Sequence, residues 1–392
     1  MRHPVHMTWN LEPVNAMPAE VPMTSPMPLA KNFLRALSSV VRRDAAPVDA
    51  AAGSVTFDGA LDDFDVAGLV AVGRGPIGDI AVDADRDTVV VTNTGADCIT
   101  VINPETLGVV GSVRLGGEPF AVAVANDRAY VSTAAAGHDA IVEVDTITGT
   151  VLAEYPLALS VTALTVSPDG KRVFAGRSGQ DRIDIAVIDT TAERVGTIDI
   201  ATGAGVNLDA LRVDATGKRV YAATADARGS RLIAVNAETA QIEATVWIGA
   251  PIRDLALGGD GIAYVLTSDR ERRGVVHIVD LAAGTVIGAV EVGGAPTQLV
   301  LSPDATRAYI VDYDRVSVLC TLTNEILGSV DVNAQPAAVA VRRDGGRIYI
   351  ADYTGHVNVF ETAAAALPGL YSQFVAPELA QAPMPMLEPV GV

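Results

Sequence analysis

Long apolar runs, cysteines, aromatics, histidines and lysines are all scarce in this chain of 392 residues. No stretch reaches the ~18 to 20 unbroken apolar residues of a membrane helix, so the mean hydropathy of +0.31 has to come from many short segments. The two cysteines, Cys98 and Cys320, form no Cys-x-x-Cys-His haem motif, and they are expected at opposite ends of strands in non-adjacent repeats. No disulfide is expected between them, and unpaired thiols fit a reducing compartment. The five histidines are scattered, without a metal-ligand spacing, and no glycine-rich phosphate loop precedes a helix. A metal, haem or nucleotide enzyme is therefore disfavoured, and no cofactor is expected. Basic charge is the last shortage: the formal net charge is −19, which argues against a nucleic-acid partner. Three lysines (Lys31, Lys171, Lys218) stand beside 25 arginines, a bias that fits the codon usage of a high-GC bacterium.

What the chain does have is glycine, 36 residues of it, and short Val/Ile/Ala-rich segments. Hydrophobic residues make up 49% and aromatics 5%, the signature of many brief strands joined by tight turns. An internal repeat emerges when the apolar end of one strand serves as anchor. Segments such as Gly-Asp-Ile-Ala-Val and Ala-Leu-Thr-Val then bring Val82, Val124, Val166, Val213, Leu257, Leu301 and Val341 into register. Seven units of about 40 to 47 residues match four-stranded propeller blades. A second landmark follows each anchor: Val90, Tyr130, Phe174, Tyr221, Tyr264, Tyr309 and Tyr349. Between the two lie turns such as Ser167-Pro168-Asp169-Gly170-Lys171, so anchor and aromatic belong to paired strands a and b. Third strands are expected to end near Asn103, Asp145, Asp189, Asn236, Asp280, Cys320 and Glu361.

The second-strand tetrads read Val-Val-Thr-Asn at 90–93, Tyr-Val-Ser-Thr at 130–133 and Tyr-Val-Leu-Thr at 264–267. With the Gly-x-x-Pro starts, the Ser-Pro-Asp-Gly turn and the Val-Ile-Asp third strand, the chain resembles the Tyr-Val-Thr-Asn propeller-repeat family over roughly Val66 to Thr362. That resemblance implies an all-β, seven-bladed β-propeller and says little of activity, because propellers serve unrelated tasks. Phe-Ala-Gly-Arg at 174–177 and Tyr-Ile-Val-Asp at 309–312 depart from the pattern and mark places for local function.

Closure and domain limits follow from the same register. Blade 7 supplies three strands, ending at Val357-Asn358-Val359-Phe360, whereas Gly68-Leu69-Val70-Ala71-Val72 is an orphan fourth strand ahead of the first anchor. The N-terminal strand is expected to complete blade 7 and remove two free edges. The expected organisation is an irregular extension over 1–62 with a short helix near 29–41, a propeller over 63–362, and a Pro-rich tail over 363–392. Without a recognisable signal peptide the chain is expected in the cytoplasm, with unmarked export or cell-envelope association as the alternative. A closed ring without free edges is expected to be a monomer.

Candidate sites come from loop composition. The d–a and b–c loops share one face of the ring and the a–b and c–d turns the other. The turn face is acidic: Asp83, Asp85, Asp87, Asp127, Asp169, Asp214, Asp260, Asp304 and Asp344 all lie in a–b turns. Asp83, Asp85 and Asp87 alternate as in a calcium loop but lack its Gly and Glu, and are taken as a solvated turn. On the loop face, the b–c segments of blades 3 to 5 carry Arg177, Arg182, Arg228, Arg231, Arg270, Arg272 and Arg273. These are expected to form an electropositive arc opposite Asp312 and Asp352, a binding surface for an unidentified protein, an acidic peptide or a small anion. Three residues before each anchor lie Asp79, Ala121, Ala163, Ala210, Asp254, Gln298 and Ala338, which makes Asp79, Asp254 and Gln298 the channel-mouth candidates. The expected function is a non-catalytic scaffold or binding module. The alternative, a propeller-type lactone hydrolase or lyase, needs those channel groups to converge as acid and base.

Overall fold

The alternation of small β-branched residues with tight turns builds seven four-stranded antiparallel sheets and no other layer among the described residues. The computed structural model describes residues 64–362 apart from 270–272 and 333, so the extension over 1–62 with its expected helix near 29–41, and the tail over 363–392, lie outside the described residues. No helix among the described residues is long and apolar enough to cross a membrane.

Each sheet is a blade. The innermost strands, strand a of blades 1 to 7, are Ile77–Val82, Glu118–Ala125, Ser160–Val166, Asn207–Val213, Ile252–Leu257, Gln298–Leu301 and Pro336–Val341, and each lies beside strand a of the next blade around a central channel. Six of the seven anchors are the last residue of their strand a, and Val124 is one residue short of that position. Third strands end at Asn103, Asp145, Asp189, Asn236, Asp280, Cys320 and Thr362.

Seven hydrophobic cores lie between neighbouring blades, and the strand-b landmark residue of each blade fills the interface with the next. Val90 packs between blades 1 and 2, Tyr130 between 2 and 3, Phe174 between 3 and 4, and the series continues round to Tyr349 between 7 and 1. Burying one such ring removes enough apolar surface to contribute about 2 to 3 kcal/mol. The same packing explains the departure at 174–177. Gly176 stands where any Cβ would strike the Leu208 side chain of blade 4, so the tetrad gives up a side chain to admit its neighbour.

The ring closes as expected. The strand Phe64–Ala71 pairs antiparallel with His356–Thr362, with Val70 opposite Val357 and a bulge between Val66 and Gly68, and forms the outer strand of blade 7. Val70 and Val72 are buried in the core between blades 7 and 1, so closure is made by packing as well as by hydrogen bonds.

Candidate functional site

The channel is bounded by strand a of every blade, and its polar side chains mostly join one blade to the next. Asp79 Oδ2 accepts the Val122 N–H of blade 2 at 3.0 Å while Oδ1 accepts the N–H of Ile80 at 2.9 Å. Asp254 does the same between blades 5 and 6: Oδ2 accepts the Leu299 N–H of blade 6 at 3.0 Å, and Oδ1 accepts Leu255 N–H at 2.8 Å and Arg212 Nη2 at 2.7 Å. Gln298 Oε1 accepts the Val339 N–H of blade 7 at 2.7 Å. All three channel-mouth candidates thus satisfy backbone donors that would otherwise be stranded between blades. Burial pushes Asp79 up to about 6, against the pull of its backbone donors and of Arg212 across the channel. Burial also raises Asp254, with Arg212 drawing it back down.

Where strand a carries alanine at this position, other groups take over. Thr162 Oγ1 donates to the Leu208 carbonyl of blade 4 at 2.7 Å, and Ser178 Oγ accepts the Leu208 N–H at 3.1 Å. Asp83 acts similarly at the turn face: it is fully buried, takes the N–H groups of Asp85 and Arg86 on Oδ1, and takes the Asp127 N–H of blade 2 on Oδ2. Asp85 pairs with Arg343 at 3.1 Å. Among the described residues no group of three or more His, Cys, Asp or Glu side chains is placed to hold a metal ion.

The loop face disperses the arginines more than an arc requires. Arg177 lies inside blade 3, its Nε donating to the buried Asp184 at 2.6 Å and its Nη2 to Thr197 at 3.1 Å, so it presents nothing to a partner. Arg182 is exposed and approaches the same carboxylate at 3.5 Å. Arg228, with 79% of its side chain exposed, and Arg231, 25% exposed, share Asp226 at 3.5 and 2.8 Å. Arg273 is exposed at the loop's end, with a φ of 61°. Arg270 and Arg272 lie outside the described residues, as does the side chain of Asp260. Across the ring, Asp312 accepts the N–H groups of Ala295 and Tyr313, and the buried Asp352 accepts those of Thr354 and His356, so both carboxylates bind their own loops.

Two features escaped the residue pattern. Trp247, on the outer strand of blade 4 (Gln241–Gly249), is 52% exposed with the Arg231 guanidinium 5.4 Å above its ring. A Cβ on Gly229 would strike the indole, so that glycine beds it flat. Alternation with the buried Val246 was the available signal. Asp209 is the other: it is the extra residue of a bulge in strand a of blade 4, between Leu208 paired to Thr224 and Ala210 paired to Ala223. The enclosing ring raises its carboxyl to about 6, with Arg253 of blade 5 opposing the shift.

Comparison with known proteins agrees with this architecture. A seven-bladed β-propeller protein of Mycolicibacterium smegmatis is 74% identical over 354 residues, covering 90% of this chain and 96% of its own. A second, from Mycobacterium tuberculosis, is 35% identical over 293 residues, covering 66% of this chain and 75% of its own. Among solved structures, hydrazine synthase of Kuenenia stuttgartiensis superposes with a TM-score of 0.65 over 74% of this chain and 96% of that one, at 20% identity, a likeness of fold alone. No family model matches, so the likeness to Tyr-Val-Thr-Asn repeats rests on the tetrads themselves.

Proposed function

We propose that this chain, which belongs to the family of seven-bladed β-propeller proteins found in mycobacteria, is a non-catalytic binding module that docks an acidic partner on its loop face. The observation that carries this reading is the division of labour among its polar groups. In the channel, where a lactone hydrolase or lyase would need a free acid and base, Asp79, Asp254 and Gln298 are occupied by backbone donors. At the rim, Arg182, Arg228 and Arg273 of three consecutive blades hold exposed guanidinium groups with donors to spare. The Arg231–Trp247 pair beside them adds an aromatic platform, the composition favoured at interface centres. In the same reading the protein works as a monomer in the cytoplasm, where Cys98 and Cys320 stay reduced. Its repeats are taken as divergent members of the Tyr-Val-Thr-Asn class.

The test is anisotropy titration of a fluorescent hexaglutamate peptide against the full chain and against the variant Arg182→Ser/Arg228→Ser/Arg273→Ser. Binding that weakens with salt and falls at least tenfold in the variant supports the reading. Equal affinity and equal salt dependence in the two proteins would remove the loop face from consideration.

A further inference from the structure

The outer strand of blade 7 breaks a rule that the other six keep. By its pairing with strand c, Leu69 stands in the register of Ser112, Glu154, Thr197, Thr245, Ala289 and Ser329 of blades 1 to 6, all small or polar, as suits a site turned to water. Leu69 is nevertheless 60% exposed, and Val66 on the same side of the strand is 75% exposed. Together with Phe360 and Val332 they line a mainly apolar cleft of about 170 Å³ between blades 6 and 7, bordered by Asp331 and Asn358. An apolar cavity of about 150 Å³ takes up benzene, so this cleft has room for one large side chain.

Both stretches of chain outside the propeller start beside this cleft, because Phe64 and Thr362 are paired. Residues 363–392 carry Glu378 and Glu388 and no cation, a poor match for the exposed Asp65 and Asp331 nearby. Residues 29–43 are the opposite: they hold Lys31, Arg35, Arg42 and Arg43 and no anion, in a chain of net charge −19. At about 3.6 residues per turn, Ala30, Phe33, Leu34, Leu37 and Val41 fall on one side of a helix, with the four cations outside that stripe. The connecting residues 42–63 would span about 25 Å as a coil, more than the ~17 Å of strand from Phe64 to Leu69, which puts the segment at the cleft with a local concentration on the order of millimolar. We propose that this cleft is the docking site of residues 29–41, bound as a helix along the outer wall of blades 6 and 7 with Phe33, the one aromatic of the stripe, seated over Val66 and Leu69. The segment thereby covers the closing strand, and the leucine at this register in blade 7 is its main contact. The outer wall serves this purpose whatever the loop face binds.

Trypsin reports the contact through the segment's own cations, because cleavage after Lys31 or Arg35 requires the helix to leave the wall and open. In the full chain at low micromolar concentration these two sites are expected to be cut about tenfold or more slowly than in Leu69→Ser, which matches positions 112 and 329, and than in Leu69→Glu. Cleavage after the exposed Arg228 is the internal reference and should not change. Phe33→Ala should release the segment as fully as Leu69→Ser, and the two together should add nothing further. Equal rates at Lys31 and Arg35 in the parent and both Leu69 variants, or protection that survives Phe33→Ala, overturns the proposal. Protection that fades on dilution assigns the cleft to the segment of a second copy, and protection seen only with phosphatidylglycerol vesicles and unchanged in Leu69→Glu assigns the segment to an anionic membrane. Either result overturns docking within the chain. Circular dichroism of each variant separates a released segment from a lost fold.

Discussion

Replacing Asp79 by Asn should reverse its effect on stability as pH changes. In the native ring the Asp79 carboxyl is held at about 6, above its ordinary value of 3.8, chiefly because burial disfavours the charge. A carboxyl whose folded pKa is raised binds more protons in the native than in the unfolded state between those two values. Stability from this group is therefore full below about pH 4, falls as pH rises to about 6, and is constant beyond. Two units correspond to roughly 3 kcal/mol at neutral pH, since each unit is worth about 1.4 kcal/mol. Asparagine carries no charge and keeps one oxygen, enough for the Val122 N–H between blades, as the Gln298 amide does for Val339. It leaves the Ile80 N–H without its acceptor, a loss of about 1 to 2 kcal/mol. The variant should thus be more stable than the parent by about 1 to 2 kcal/mol at pH 8 and less stable by a similar amount at pH 4, with the crossing between. Urea midpoints of both proteins across pH 4 to 8 read the difference, in which the other titrating carboxylates cancel. Parallel curves would refute burial as the cause of the shift, and a variant that loses stability as pH rises would refute the sign.

Three further outcomes follow from side chains at equivalent positions in different blades. Asn103, Asp145, Asp189, Asn236 and Asp280 each end strand c with an oxygen that accepts two turn N–H groups, whereas Cys320 offers a thiol there, its pKa drawn down by the Thr323 hydroxyl and the N–H groups of Thr323 and Leu322 against the effect of burial. Cys320→Asp should therefore stabilise by about 0.5 to 1.5 kcal/mol, a rise of a few degrees in Tm by calorimetry, and an unchanged or lower Tm would count against the equivalence. Arg231→Ser should cost about 1 to 2 kcal/mol because it removes both the ring contact and the closer bond to Asp226, while Arg228→Ser should cost less than about 0.5 kcal/mol; equal losses in denaturant titrations would contradict this ranking. Deleting residues through Val72 opens the hydrogen-bonded edge of His356–Thr362 and uncovers the core between blades 7 and 1, and light scattering should show aggregation. A monomer of unchanged Tm would exclude a structural role for the closing strand.

The fold was legible because the repeat states each structural role seven times. Anchors at strand ends and aromatics at blade interfaces recur with a spacing that only a ring of four-stranded sheets accommodates. The site was less legible because polar residues in a repeat are ambiguous in sequence. Arg177 looked like a loop arginine, but it sits at the last tetrad position, opposite Asp184 on the next strand, and faces into the blade. Asp79 and Asp254 looked like channel acids, and the donors that occupy them belong to the next blade, some 43 and 45 residues away. A bulge is harder still to see. In Leu208-Asp209-Ala210-Leu211 the strict alternation of a strand fails, and that failure is the sequence trace of the extra residue.

The channel follows one rule from which Asp209 departs. A propeller blade carries unpaired backbone donors on its innermost strand, which face the neighbouring blade where water has little access. Each interface therefore needs an acceptor there, and carboxylate, carboxamide or hydroxyl will serve. Blade 1 uses Asp79, blade 5 Asp254, blade 6 Gln298 and blade 3 Ser178, so acidity at these positions records a backbone requirement before it records any chemistry. Asp209 meets no such requirement. Leu208 already receives Thr162 on its carbonyl and gives its N–H to Ser178, so the interface between blades 3 and 4 is satisfied without the carboxylate.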